Sequence, residues 1–201
     1  MVIKMNKERL KKQIDFILEI DKEKNIFRQT HLTGHGRAEN DAEHAWHMAI
    51  SAYLLREYSN EEIDIAKVMM MCLIHDIVEI DAGDTYAYDT ERLKTQAERE
   101  KKAEERIYSL LPEDQAAELK AIFEEFEAYE TPEAKFAHAM DNFQPLLLND
   151  SNGGSDWVRH GAKKSMVYGR QKKTALGAKE LYNYTHEVLK KHVKMGTLKN
   201  E

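Results

Sequence analysis

The run Val68-Met69-Met70-Met71-Cys72-Leu73-Ile74 constrains this chain more than any other stretch. It sits in a segment, about Glu61 to Ile80, that contains no glycine or proline and is apolar nearly all round a helical projection. A helix like that has to be enclosed by other elements, so it belongs at the centre of the core. Its neighbours are expected to be helices as well. The chain carries three prolines and nine glycines in 201 residues, and no alternating pattern of useful strand length. The expected fold is therefore all-α: a single globular domain over residues 1–201, with about six to eight helices.

Helical periodicity places the others. Leu10, Ile14, Ile17 and Leu18 recur at the three-and-four spacing of an amphipathic helix within Ile3 to Ile20. Asn40, followed three residues later by Glu43, has the spacing of a capping box. The helix it opens carries an apolar stripe of Ala45, Met48, Ala49, Ala52 and Leu55, with Trp46 assigned to the core. Glu91 to Leu111 reads as a charged surface helix ended by Pro112, followed by helices near Glu113 to Tyr129 and Pro132 to Leu148. Phe27 to Glu39 loses the period and contains Gly34 and Gly36, so it reads as a loop. Arg28, His31, His35 and Arg37 crowd into it, and Arg37 is expected to tie it to Glu39 or Glu43. Thr85 to Thr90 reads as another loop, and Asp81 as a surface residue. Asn152-Gly153-Gly154 is the clearest linker, separating a core of about 28–149 from C-terminal helices over 155–194 that pack on it. The last residues, Gly196 to Glu201, are expected to be disordered.

Composition excludes several classes. The net charge of −6, with 33% charged residues of both signs, argues against binding to nucleic acid, which calls for a basic excess. No segment approaches the length of an apolar membrane span, and Met1 to Leu10 lacks the apolar core of a secretory signal. The single cysteine, Cys72, lies in the apolar run and is expected to be a buried small hydrophobe. A cytoplasmic home is the expectation.

The chemistry concentrates on His75-Asp76, at the end of the most apolar helix. A carboxylate buried there is costly unless something pairs with it, and a metal ion is the usual partner. His44 lies near the start of another core helix, and Asp141 interrupts a helix otherwise apolar on that side (Phe136, Met140, Leu146, Leu147). His44, His75, Asp76 and Asp141 together make a mixed nitrogen and oxygen site. It suits one divalent ion of the Mn, Co, Fe, Ni or Zn kind, with coordination positions left open. Glu79, three residues after Asp76 and four after His75, would share their helix face and stand ready to accept a proton.

The order His44, His75-Asp76, Asp141 resembles the HD superfamily of metal-dependent phosphohydrolases. So do the strings Glu39-Asn40-Asp41-Ala42-Glu43-His44, His75-Asp76-Ile77-Val78-Glu79, Gly83-Asp84-Thr85 and Gln144-Pro145-Leu146-Leu147. Within that superfamily the chain is most similar to the 5'-deoxynucleotidase-like group. The resemblance implies catalytic roles for Glu79 and Asp84, flanking the attacking water and the departing oxygen, and a phosphate-binding role for Arg28. It implies a small phosphorylated substrate, most plausibly a (deoxy)nucleoside 5'-monophosphate, and a homodimer. An apolar face of Ala175, Leu181, Val188 and Leu189 could serve the dimer. Relatives in this group carry a tryptophan near the arginine, where this chain has Gln29, Thr30 and His31, so a preference for deoxyribose stays open. The alternatives are hydrolysis of nucleoside triphosphates or a cyclic or signalling nucleotide, or a non-catalytic binding module of the same fold.

Overall fold

The computed structural model describes residues 6–83 and 90–200, leaving out the side chains of 90–94. Helix α1 (Lys7–Ile20) leads through a 3-10 turn into a short antiparallel ribbon of β1 (Phe27–His31) and β2 (Ala38–Asn40). Then follow α2 (Asp41–Leu55), α3 (Ile65–Ile74), the single turn α4 (Glu79–Ala82), α5 (Thr90–Tyr108), α6 (Glu113–Ala128) and α7 (Pro132–Ser151). The C-terminal part comprises α8 (Ser155–Arg159), α9 (Lys164–Gln171), α10 (Thr174–Gly177) and α11 (Lys179–Met195). The all-α expectation holds, and none of the described helices is long and apolar enough to cross a membrane.

Local chemistry sets the long helices. Asn40 accepts from the Glu43 amide while Glu43 reaches back to the Asn40 amide, completing the expected box at the start of α2. Asp64 caps α3, and Thr131 caps α7 with Pro132 in its first turn, where proline's missing N–H is no loss. Two apolar clusters result. The larger gathers Met48, Val68, Met71, Cys72, Phe136, Met140 and Leu189 around α7. The smaller joins Phe16, Ile74, Ile77, Val78, Ile107, Leu111 and Phe123 from α1, α3, α4, α5 and α6 and the turns beside them. Cys72 is buried, as expected.

Several expectations fail at the level of contacts. Residues 27–40 form a ribbon rather than a loop, tied by the pairs Phe27–Asn40 and His31–Ala38. The central helix stops at Ile74, and His75 to Val78 turn through short-range bonds such as Glu79 N–H to the Asp76 carbonyl, 2.8 Å. Trp46 is 62% exposed, not core. Leu10, Ile14, Ile17 and Leu18 all face outward, and Phe16 is the residue α1 buries. The face expected to serve a dimer is covered: Leu181, Val188 and Leu189 are buried. The linker expected at Asn152-Gly153-Gly154 does join α7 to α8, as a turn tied down by the Asn152 amide, which donates to the carbonyls of His31 and Leu32. The tail is packed, with Leu198 only 1% exposed and the Lys164 amide bonded to the Lys199 carbonyl. Gly177 brings α10 against α7; a Cβ there would overlap the Lys135 carbonyl and come 2.8 Å from Phe136 Cα.

Candidate metal centre

The ligands expected from the sequence arrive from the larger cluster. His44 lies one turn into α2, His75 follows the last residue of α3, and Asp141 stands at mid-length in α7. One donor atom from each of His44, His75 and Asp141 lies within 4.8 Å of the others. His44 Nε2 is 3.1 Å from Asp141 Oδ1, and His75 Nε2 is 4.0 Å from the same oxygen. Asp76 adjoins the group, with Oδ2 3.1 Å from His75 Nε2. Proline at 145 has no N–H to give the Asp141 carbonyl, so the helix loses one rung at its ligand.

The outward nitrogens of both rings are occupied. His75 Nδ1 bonds the Cys72 carbonyl at 2.9 Å, and a carbonyl only accepts, so Nδ1 donates. Gln144 points its amide nitrogen at Glu39 (2.7 Å) and its oxygen at His44 Nδ1 (2.9 Å), so that nitrogen donates too. Both Nε2 atoms therefore face the carboxylates. A ring oriented through its far nitrogen is how metal-binding histidines are held. His47 joins the same support, its Nδ1 2.9 Å from the Gln144 amide nitrogen, and is not a ligand.

Charge follows from this packing. Burial, aided by Arg28, pushes the His44 imidazole down to about 4, so it is neutral. Burial also opposes charge on His75, but Asp76 and Asp141 outweigh it and lift the group to about 9. Burial likewise works to raise both aspartates. His75 and Arg28 nevertheless hold Asp76 well below the usual carboxylate range, and His44 and Arg170 do the same for Asp141. One positive charge is thus favoured between two inward nitrogens and two carboxylates. The residues fit a divalent ion, and the mixed nitrogen and oxygen set suits the Mn-to-Zn series better than calcium.

Arg28 projects from β1 into this centre. Its Nη1 lies 2.7 Å from Asp76 Oδ2 and 3.2 Å from Asp41 Oδ1. Asp41 is fully buried, and sequence reading missed it: an aspartate in a helix's first turn is common for dipole reasons alone and carries no further signal. Glu79, on α4, is nearly buried and lines one cavity of about 710 Å³ with Arg28, His75, Asp76 and Asp141. Asp84 lies outside the described residues. His31 is held by Asp156, 2.8 Å away, and by Arg159, while His35 sits exposed on the ribbon turn. Arg37 pairs with Glu43, as expected.

Fold and site define a helical protein built around a cluster of histidine and carboxylate side chains that could hold a metal ion. A family model described as HD domain matches residues 20–182. The chain belongs to the HD domain family. It is 30% identical over 111 residues to the human 5'-deoxynucleotidase HDDC2, covering 55% of this chain and 53% of that protein. A fission yeast relative, 5'-deoxynucleotidase hdd1, is 28% identical over 114 residues, 55% of this chain and 56% of the other. The chain thus spans about half the length of the curated relatives it matches. A crystal structure from Magnetospirillum magnetotacticum, described as a predicted metal-dependent phosphohydrolase, superposes with a TM-score of 0.92 at 46% identity. That match covers 98% of this chain and all of the other. A conserved hypothetical protein from Pyrococcus furiosus shares the fold at 22% identity and a TM-score of 0.50.

Proposed function

We propose that this chain is a metal-dependent phosphohydrolase that releases phosphate from a small phosphomonoester, with a (deoxy)nucleoside 5'-monophosphate as the substrate class. The observation that carries the reading is the pair of imidazoles fixed through Nδ1, with both Nε2 atoms turned on Asp141. That geometry is costly for a purely structural core and natural for a ligand set. The names of the HDDC2 relatives and of the Magnetospirillum neighbour support the chemistry.

In this reading His44, His75, Asp76 and Asp141 hold one divalent ion. When bound, the ion acts as a Lewis acid on a phosphate oxygen and makes water a better nucleophile at neutral pH. Arg28 neutralises phosphate charge through a planar guanidinium that offers paired donors. Its bond to buried Asp41 helps hold it at the cavity. Glu79 takes a proton from the attacking water, and Asp84 returns one to the leaving oxygen. The cavity of about 710 Å³ has room for a nucleoside beyond the phosphate.

The test is phosphate release from nucleoside mono-, di- and triphosphates with Mn²⁺, Co²⁺ or Zn²⁺, for wild type and Asp76→Ala. Release from monophosphates is expected, falling at least about 100-fold in the variant. No metal-dependent release from any ester sinks the reading. Equal rates on ribo- and deoxyribonucleotides would remove the deoxyribose preference alone.

A further inference from the structure

We propose that Arg170, from α9, is a second residue that grips the phosphoryl group, across the centre from Arg28; this rests on the phosphohydrolase reading. The Asp141 carboxylate has a guanidinium on either side. Arg28 Nη2 stands 3.9 Å from Oδ1, and Arg170 Nη2 stands 3.5 Å from Oδ2. The two cations thus flank the same ligand from β1 and from α9, and both line the one cavity.

Arg170 is built into place. Its Nε donates to Asn142 Oδ1 at 2.9 Å, and Asn142 is buried on α7 next to the ligand. The following residue, Gln171, donates to the Asn142 carbonyl at 2.7 Å and accepts from Thr174 at 3.0 Å. These bonds bolt the end of α9 to the ligand helix at one residue. A guanidinium carries five N–H donors in a fixed fork. Asn142 takes one, and the approach to Asp141 is long for a second. Among the described residues that approach is its one carboxylate contact, whereas Arg28 is engaged by both Asp41 and Asp76.

Charge balance asks for such a group. A phosphomonoester is dianionic near neutrality and would enter a cavity already lined by Asp76, Asp141 and Glu79. One ion and one committed arginine oppose that charge weakly. Arg170 supplies the second cation, and its fork can bind two phosphate oxygens where a lysine would offer a point charge.

The competing account is that Arg170 only steadies Asp141, and the experiment separates the two. Inorganic phosphate is used as a competitive probe against wild type, Arg170→Met and Arg170→Lys, with metal content per chain measured on each. The proposal expects KM and the inhibition constant for phosphate to rise roughly ten-fold or more in Arg170→Met. Arg170→Lys should recover part of the loss, and metal content should stay at the wild-type level in both. Unchanged phosphate affinity in an active Arg170→Met enzyme overturns the proposal and leaves the phosphohydrolase reading standing. Weakened phosphate binding that tracks lost metal overturns it as well, in favour of support for Asp141. A wild type that neither hydrolyses any ester nor binds phosphate overturns both.

Discussion

The two apolar clusters of this molecule do different work. Around α7 the larger cluster is closed at its centre: Met48, Val68, Met71, Cys72, Ala137 and Met140 have no measurable exposure, and the helices α2, α3 and α7 that carry or adjoin His44, His75 and Asp141 meet there. The smaller cluster, under α4 and α5, keeps a larger share of its members slightly open: Phe16, Leu111 and Ala82 reach an exposure that only Trp157 and Leu181 reach in the larger one. The candidate ligands His44 and Asp141 therefore stand on elements of the larger cluster, while Asp76 and Glu79 stand beside Ile74, Ile77 and Val78 of the smaller one. In the proposed function the ion needs its donors fixed to a few tenths of an ångström, and a carboxylate that takes a proton tolerates more play. The seam between the clusters runs through Ile74 and His75, where the central helix breaks.

The sharpest way to break this comparison is to cut each cluster once. Phe136→Ala removes a fully buried ring from the closed cluster and is expected to cost about 3–5 kcal/mol. Phe16→Ala removes a ring that keeps slight exposure and should cost less, with metal content preserved. Paired denaturant melts and metal analysis decide it; equal losses in both variants would mean that the clusters do not differ in this way. Gly177→Ala comes next. The added methyl meets backbone of Lys135 and Phe136, which cannot swing aside as a side chain would. A loss of about 3 kcal/mol follows, or roughly 6–12 °C in Tm for a chain of this size.

Much of this was legible in the sequence where the cause is local. The box at Asn40 and a helix opening at Pro132 each act within a few residues, and each appears as expected; the apolar run is buried at Val68, Met71, Cys72 and Ile74, but Met70 and Leu73 face outward. The failures lie where distant residues decide. The stripe on α1 is truly amphipathic, yet which face is buried depends on α5 and α6, and they take Phe16 instead. The break after Ile74 has no glycine or proline to announce it. The ribbon of β1 and β2 is too short and too polar to show a strand period. In the site, His44, His75 and Asp141 stood out because ionisable groups in apolar runs are conspicuous. Gln144 and Arg170 act across 100 and 29 residues of chain, and neither side chain looks unusual where it stands.

Gln144 gives the next smaller test, one inside the closed cluster. It holds His44 Nδ1 and anchors to buried Glu39, so Gln144→Met should leave the fold in place and free the ring to turn. Loss of such an outer partner typically weakens metal binding about 10–100-fold. A metal titration of the variant checks this, and an unchanged affinity would show that packing alone orients His44.

The last test concerns Glu23, on the 3-10 turn after α1, whose charged neighbours are Asp76, His75 and Arg28. Burial, with Asp76 adding to it, raises this carboxyl from 4.5 to about 7. The folded chain therefore holds the proton more tightly than the unfolded chain does. Stability is greatest below pH 4.5 and falls as pH rises toward 7, because only the unfolded state gives up its proton easily over that range. The shift corresponds to at most about 3 kcal/mol. Glu23→Gln keeps the shape and removes the proton, so its Tm should decline less than the wild type's between pH 5 and pH 8 in metal-free protein. Parallel declines would show that Glu23 does not titrate in that window.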